Sequence, residues 1–323
     1  MELLEKKEQL NELIDKSSSI FIMGHRYLDL DALGGSIGVY EYVKAKGQKP
    51  TIIINDRSFE KGVKKALDGF KNKYDIENGS KAKKRINKDS LLIIVDTNKE
   101  YLVQDRFLIP LFSNIAVIDH HDPNSQSMTE GLIIIDRYSS STCEMLTDLL
   151  DKENIEINSS VATLLLSGIV LDTNNFVIKT NANTYRTSYL LANQGADPAY
   201  VQYLLKQDIK QYVQRQKVIT NVKQIKNIAL SCGKSAIKYR REDLAKIADT
   251  LLQFDKIGAS FVIGRLEDGS IGISARSLGQ VDVGKILETF NGGGDENEAG
   301  ARIEKANIKE IEGQLIRIIK SLN

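Results

Sequence analysis

The 323-residue chain contains three histidines, and all of them lie in two short stretches. His25 sits in "FIMGHRYLDLDALGG", while His120 and His121 stand side by side in "IAVIDHHDPN". Histidine is the commonest metal ligand and acid–base side chain, so imidazoles this scarce and this clustered point to chemistry. Carboxylates accompany them. Asp29 and Asp31 follow His25, Asp119 precedes the pair, Asp96 closes "LLIIVD", and Asp172 lies in "LLLSGIVLDTNNF". Any one of these aspartates could simply cap a helix. Four separate segments ending in the same chemistry are harder to explain that way, and mixed Asp/His donors suit Mn, Fe or Zn better than Ca or Mg. The number of acids suggests two cations about 3.5–4 Å apart that share a bridging carboxylate.

Elements able to position such a set are visible around it. "SIFIMGH", "PTIIIND", "SLLIIVDTN", "NIAVIDHHD" and "GLIIID" are continuous β-branched runs, as expected of parallel strands buried on both faces. "DALGGSIGVYEYVKAKGQ", closed by Gly47, "SFEKGVKKALDGF" and the Ser/Thr-capped "SSSTCEMLTDLLDK" read as helices between them. The fold class is therefore α/β, a mostly parallel sheet followed by a second, smaller α/β domain. Ligands gather at the carboxyl ends of the strands in such sheets, which is where His25, Asp96 and Asp119–His121 fall. Ser140, Ser141 and Thr142 open a helix there and could lend donors to a phosphate, though capping explains them equally well.

Beyond Pro198, "DPAYVQYLLKQDIKQYVQRQKVITNVKQI" is polar and helix-favouring, and reads as a helical linker. A helix, a hairpin around Asp268-Gly269 and a final amphipathic helix, "IKEIEGQLIRIIKSLN", follow it. The expected division is a catalytic domain over 1–195, a linker over 196–225 and a substrate-binding domain over 226–323.

Composition narrows the partners. Charged residues make up 27% of the chain and balance to a formal net charge of +1, which argues against a coat for long nucleic acid. The two cysteines, Cys143 and Cys232, lie far apart and read as small buried hydrophobes in a reducing, cytoplasmic setting. No apolar run reaches transmembrane length, and "MELLEKKEQLNELIDK" reads as a charged amphipathic helix, not as a signal peptide.

Several motifs, in order, carry a resemblance. "GHRYLDLDALGGSIG", "VDTN", "VIDHHDP" and "GIVLDTNNF" resemble the ordered motifs of the DHH phosphoesterase superfamily. "GSIGISARSLGQVDVGKILETFNGGGDENEAGARI" is similar to its companion DHHA1 domain, with an "SxRS" strand and a "GGGH" loop. The wording "FIMGH", "SGIVLDTNNF" and "KTNANTYRTSYLLANQGAD" is most similar to the GdpP-type cyclic di-AMP phosphodiesterases, and more distantly to the nanoRNase group. The resemblance spans about residues 18–305.

Carried over residue by residue, it implies that His25 and Asp29 serve one metal and that Asp31, His120 and Asp172 serve the other. Asp96 would bridge them, His121 would meet the scissile phosphate, and Asp119 would orient the histidines from behind. In the second domain Arg276 and Ser277 would contact substrate, with Gly292, Gly293 and Gly294 letting a phosphate approach closely. Asp295 stands where the family usually has histidine, which leaves substrate preference in doubt. The implied cofactors are two Mn ions, with Fe, Co or Mg as alternatives, and the implied reaction opens cyclic di-AMP to linear 5′-pApA. A nanoRNase or 5′-phosphoadenosine phosphatase and a non-hydrolytic cyclic dinucleotide sensor are the alternatives. The partner is then a small nucleotide, with neither long nucleic acid nor membrane, and a homodimer is left open. Full-length GdpP-type enzymes carry membrane and sensor segments, so the chain reads as a standalone homologue or an excised catalytic part.

Overall fold

Each β-branched run in the first two thirds of the chain becomes a parallel strand. The structure, a computed structural model, describes residues 2–55, 59, 61–70 and 72–322. Strands β1 (Ser19–Met23), β2 (Thr51–Ile53), β3 (Ile76–Glu77), β4 (Ser90–Val95), β5 (Asn114–Asp119) and β6 (Leu132–Ile135) form one sheet in the order β3-β2-β1-β4-β5-β6. Every neighbouring pair in it is parallel. The strand order reverses between β1 and β4, so the ligand crevice of such a sheet lies just past Met23 and Val95.

Alternate side chains of these strands feed two cores. Ile20, Ile22, Leu91, Ile93 and Val95 pack with helices α3 (Leu30–Ala45), α6 (Thr142–Lys152) and α7 (Ser159–Asp172). Phe21, Met23, Leu92 and Ile94 face the other way, onto Ala82, Leu108, Ile109 and Phe112. Full burial of such a side chain contributes roughly 1.5–3 kcal/mol, which is why both faces had to be apolar. The same unit holds α1 (Glu2–Glu5), α2 (Lys7–Lys16), α4 (Lys61–Phe70), α5 (Gly79–Ala82), α8 (Ala182–Asn193) and α9 (Pro198–Leu204). The amphipathic N-terminus is thus two helices, not one. Lys6 leaves helical geometry between them (φ −94°, ψ 5°) and its ammonium reaches the Ile133 carbonyl at 2.6 Å. The start of the "SFEKG" helix, at Ser58 and Glu60, lies outside the described residues.

The chain divides into two units at Lys206–Gln207. The stretch 196–225 is accordingly not one helix. Its first part, α9, packs on α7 and α4 in the first unit. Asp208 then caps a new helix, α10 (Ile209–Ile219), through the amides of Lys210 and Gln211, and Arg215 of α10 pairs with Asp243 at 2.7 Å in the second unit. That unit also contains β7 (Lys223–Ile225), β8 (Ile228–Cys232), β9 (Lys238–Tyr239), α11 (Arg241–Leu251), β10 (Ala259–Leu266), β11 (Ile271–Ser277), α12 (Val283–Glu288), β12 (Gly293–Gly294), β13 (Glu298–Ile303) and α13 (Ile308–Ser321). Its sheet is mixed, in the order β12-β13-β11-β10-β8-β7, with β9 pairing on β10. β10 and β11 form the hairpin that turns at Asp268-Gly269, where Gly269 has φ +90°. Phe261, Ile263 and Ile273 pack on α12 and α13, and Val262 and Ala229 pack on α10 and α11.

Candidate metal centre

Four chain segments end at the crevice between β1 and β4, and each delivers an imidazole or a carboxylate. His25 follows β1. Asp29 is the N-cap of α3, one oxygen accepting from the amides of Asp31 (3.0 Å) and Ala32 (2.9 Å). Its other oxygen lies 3.5 Å from His25 Nε2. Asp96 follows β4 with φ +59°, a left-handed conformation that a branched polar residue adopts at a cost. Its amide is fixed by the Ile118 carbonyl at 2.9 Å, and the turn aims its carboxylate back over the strand ends.

Asp96 is the hinge of the arrangement. Its Oδ2 lies 3.4 Å from His25 Nε2 and its Oδ1 lies 3.4 Å from His120 Nε2. His120 Nε2 is also 3.1 Å from Asp172 Oδ2 and 3.9 Å from Asp31 Oδ2. Three groups result: His25–Asp29–Asp96 and Asp31–His120–Asp172, with one Asp96 oxygen turned to each, and a third of Asp96, Asp119, His120 and His121. His121 is held differently: its Nδ1 lies 2.8 Å from Asp119 Oδ1, and its side chain is 47% exposed where that of His120 is 2%. The same Asp119 oxygen accepts the amides of His120 (2.9 Å) and His121 (3.2 Å), which sets both rings in place.

These donors fit divalent cations on three counts. Among the described residues, no lysine or arginine pairs with Asp29, Asp31, Asp96, Asp119 or Asp172, so buried negative charge is met by imidazoles alone. His120 Nε2, although close to three carboxylates, makes no hydrogen bond, and Asp119 Oδ2 is likewise buried without one. Such orphaned atoms are rare in folded proteins and mark a missing partner. The mixed nitrogen and oxygen set is the third count.

Electrostatics tell the same story. Burial, reinforced by the charges of Asp96 and Asp172, pushes the Asp31 carboxyl well above the usual carboxylate range. Burial also raises Asp172, more than His120 offsets. Asp96 goes the other way: burial opposes its charge, but the close imidazoles of His120 and His25 prevail and hold it well below that range. Burial disfavours the His25 and His120 imidazolium ions, yet Asp29 and Asp96 around the first, and Asp172 and Asp96 around the second, raise both well above an ordinary histidine.

The sequence alone gave no sign of what holds Asp31. Its Oδ2 accepts the amide of Thr142 at 2.8 Å and its Oδ1 that of Cys143 at 2.9 Å, so the first turn of α6 grips a carboxylate. Ser140, Ser141 and Thr142, the candidates for holding a phosphate, are instead engaged within the protein. Thr142 Oγ1 points at Asp96 Oδ1 (3.1 Å), Ser141 caps α6 through the Glu144 amide, and Ser140 donates to Glu144. The approach of α3, α6 and α7 that makes this grip needs glycine. A Cβ on Gly168 would stand 2.4 Å from Cys143 Sγ and 2.7 Å from Asp31 Oδ1.

In the second unit the candidate substrate residues are engaged within their own fold. Arg276, on β11, donates from Nε to Asp249 at 2.7 Å and sits opposite Glu298 of β13. Burial opposes the Arg276 charge, but Glu298 and Asp249 raise its pKa further. Ser277 accepts the amides of Gly279 and Val281. Asp295 accepts the amides of Asn297 (2.8 Å) and Glu298 (2.7 Å), closing the turn between β12 and β13. Gly292 and Gly294 are hemmed in by backbone, whereas a Cβ on Gly293 would meet nothing within 4 Å.

Comparison with known proteins agrees with this picture. Residues 19–169 match the DHH family, N-terminal domain, and residues 217–321 match the DHHA1 domain. The chain is 35% identical over 314 residues to the cyclic-di-AMP phosphodiesterase GdpP of Geobacillus thermodenitrificans, covering 95% of this chain and 48% of that protein. It is 34% identical over 321 residues to the cyclic-di-AMP phosphodiesterase PdeA of Listeria monocytogenes, covering 97% and 49%. The chain thus spans about half the length of these relatives. The crystal structure of an exopolyphosphatase-related protein from Bacteroides fragilis shares the fold, with a TM-score of 0.79 at 20% identity over 98% of this chain and 97% of that one.

Proposed function

We propose that this chain, which belongs to the DHH family and carries its DHHA1 partner domain, is a two-metal phosphodiesterase that opens cyclic di-AMP to linear 5′-pApA. One observation carries the reading: the two oxygens of buried Asp96 face two different histidine–carboxylate groups. A carboxylate shared in this way is what a bridged pair of cations requires, and the 34–35% identity to cyclic-di-AMP phosphodiesterases supports the substrate.

His25, Asp29 and Asp96 would hold one cation, and Asp31, Asp96, His120 and Asp172 the other, Mn being the preferred ion. Bound there, the pair would supply positive charge to offset the negative charge that the phosphodiester oxygens develop in the transition state. The chain's own groups do the rest. The amides of Thr142 and Cys143 keep Asp31 aimed inward against the repulsion of Asp96 and Asp172. Asp119 occupies Nδ1 of His121, which leaves Nε2 of the half-exposed ring to face substrate, where the imidazolium form would donate its proton to the leaving oxygen. In the second unit, Gly293 offers an open stretch of backbone that a nucleotide could approach.

Incubating the protein with Mn and, separately, cyclic di-AMP, linear pApA and adenosine 3′,5′-bisphosphate, then resolving the products, tests this. The expected result is conversion of the cyclic dinucleotide to pApA. Turnover confined to the linear substrates would reassign the chain to nanoRNase-type chemistry, and binding without turnover of any would make it a sensor.

A further inference from the structure

The loop that leads from β6 to α6 has one end on the metal centre and one side on a cavity of about 420 Å³. Asp136 opens the loop, its amide bonded to the Asp119 carbonyl at 3.0 Å. Thr142 closes it on Asp31 and Asp96. Between them the loop presents Asp136, Tyr138 and Ser139 to the cavity, which is lined also by Glu144, Asn181 and Arg186. The volume is within the range of small-molecule sites.

Most of the polar lining is already engaged. Arg186 pairs with Asp148 and Asp151, both Glu144 oxygens are taken by Ser140 and Asn183, and the Asn181 side chain caps α8 and bonds the Tyr138 carbonyl. Four groups remain, one of them the exposed Lys152 ammonium. Asp136 is 7% exposed and uses one oxygen on the Tyr138 amide at 3.1 Å, leaving the other without a donor among the described residues. Ser139 is 5% exposed with a hydroxyl in the same position. The Tyr138 ring is 74% exposed, although its backbone is anchored, its hydroxyl accepts from Arg137 at 3.1 Å and the Arg137 guanidinium lies 5.1 Å from its centroid.

The chemistry of that remainder selects its ligand. Asp136 and Glu144 repel a phosphate, while Lys152 and Arg186 in the lining disfavour a bare cation. An aromatic plate beside a carboxylate that can only accept suits a planar base joined to a hydroxyl donor. We propose that this cavity is the nucleoside subsite of the nucleotide whose phosphate the metal centre takes. The purine lies on Tyr138, and Asp136 accepts the ribose 2′-hydroxyl, the group by which a protein tells a ribonucleotide from its deoxy counterpart. The 2′-hydroxyl is the free sugar donor in a 3′,5′-cyclic dinucleotide, because the 3′-oxygen is esterified. This inference rests on the nucleotide reading of the metal centre.

The test compares kcat/KM for cyclic di-AMP with that for its 2′-deoxy analogue. A hydrogen bond to a charged group implies a preference for the ribo form of roughly 10- to 100-fold. Asp136→Ala should abolish the preference by lowering the ribo rate to the deoxy rate, with Mn binding unchanged. A merely structural role would lower both rates together and keep the ratio, and that result overturns the proposal, as does loss of Mn. Titration with adenosine, followed by saturation-transfer NMR on the Mn-loaded protein, separates this subsite from the catalytic reading. Adenosine should bind, bind to Tyr138→Phe, and fail to bind to Tyr138→Ala, even if no dinucleotide is hydrolysed. No binding, or binding indifferent to Tyr138→Ala, would refute the subsite whatever the activity.

Discussion

The metal cluster of the first unit and the Arg276–Asp295 region of the second were both chosen for their chemistry, yet they are built on opposite principles. Around Asp96, buried groups are left over: His120 Nε2 and Asp119 Oδ2 lack a hydrogen bond, and among the described residues no lysine or arginine balances the five aspartates. Around Arg276, the unit meets its own needs. The guanidinium rests on Asp249, Ser277 holds two turn amides, and Asp295 closes its own turn. Side chains left incomplete by their own fold await a ligand. Side chains already complete are there first to shape backbone, and Gly293 is the part of that region left open.

The sharpest way to break the comparison is at Asp96. Asp96→Ala should reduce turnover by at least about a thousandfold, because both cations would lose the ligand they share. Steady-state rates on cyclic di-AMP check this, and a near-normal rate would remove Asp96 from the centre. The adjacent histidines come next. His121→Ala should slow turnover by roughly 10²–10⁴-fold with metals retained, whereas His120→Ala should weaken metal binding itself. The reverse pattern in a metal titration would mean that the pair is assigned backwards.

Mn should also protect the two units unequally. Ligand that binds only folded protein stabilises it by mass action, so amide exchange in β4, β5 and α3 should slow on adding Mn while β11 and β13 stay as they were. Equal slowing in both units would erase the contrast. Within the second unit, Gly294→Ala should destabilise by about 1–3 kcal/mol, since its φ is +152° and a Cβ would stand 2.1 Å from the Glu298 carbonyl. Gly293→Ala should leave stability unchanged and raise KM for the dinucleotide. Denaturant melts beside KM values distinguish the two. The smallest effect belongs to Asp295→His, which gives up a charge and two turn bonds at the surface. We expect kcat/KM to change by less than about tenfold, with linear pApA gaining more than the cyclic substrate, as weak exposed electrostatics allow.

Much of this was legible in the sequence because it depends on neighbours along the chain. Unbroken apolar runs gave β1, β4 and β5, and the residue after each run had to lie at the carboxyl edge. What stayed hidden depends on distant partners or on backbone. Nothing near Asp31 announces that Thr142 and Cys143 will grip it from α6, and a scarcity argument based on histidines cannot see a glycine such as Gly168 making room for that grip. The left-handed turn at Asp96 is equally silent, since aspartate is common at strand ends. Arg276 looked like a phosphate clamp in its motif, and only the fold reveals Asp249 beside it. The linker reading failed to separate α9 from α10 because helix propensity is continuous there, while Asp208 starts a new helix.

The central claim is that one carboxylate serves two cations. Equilibrium dialysis against Mn, with wild type beside Asp96→Asn, tests it most directly, because asparagine keeps the shape and removes the charge that both cations would share. The account predicts two Mn per chain at saturation in wild type and no more than one in Asp96→Asn. A single Mn in wild type, or two in both proteins, would contradict it.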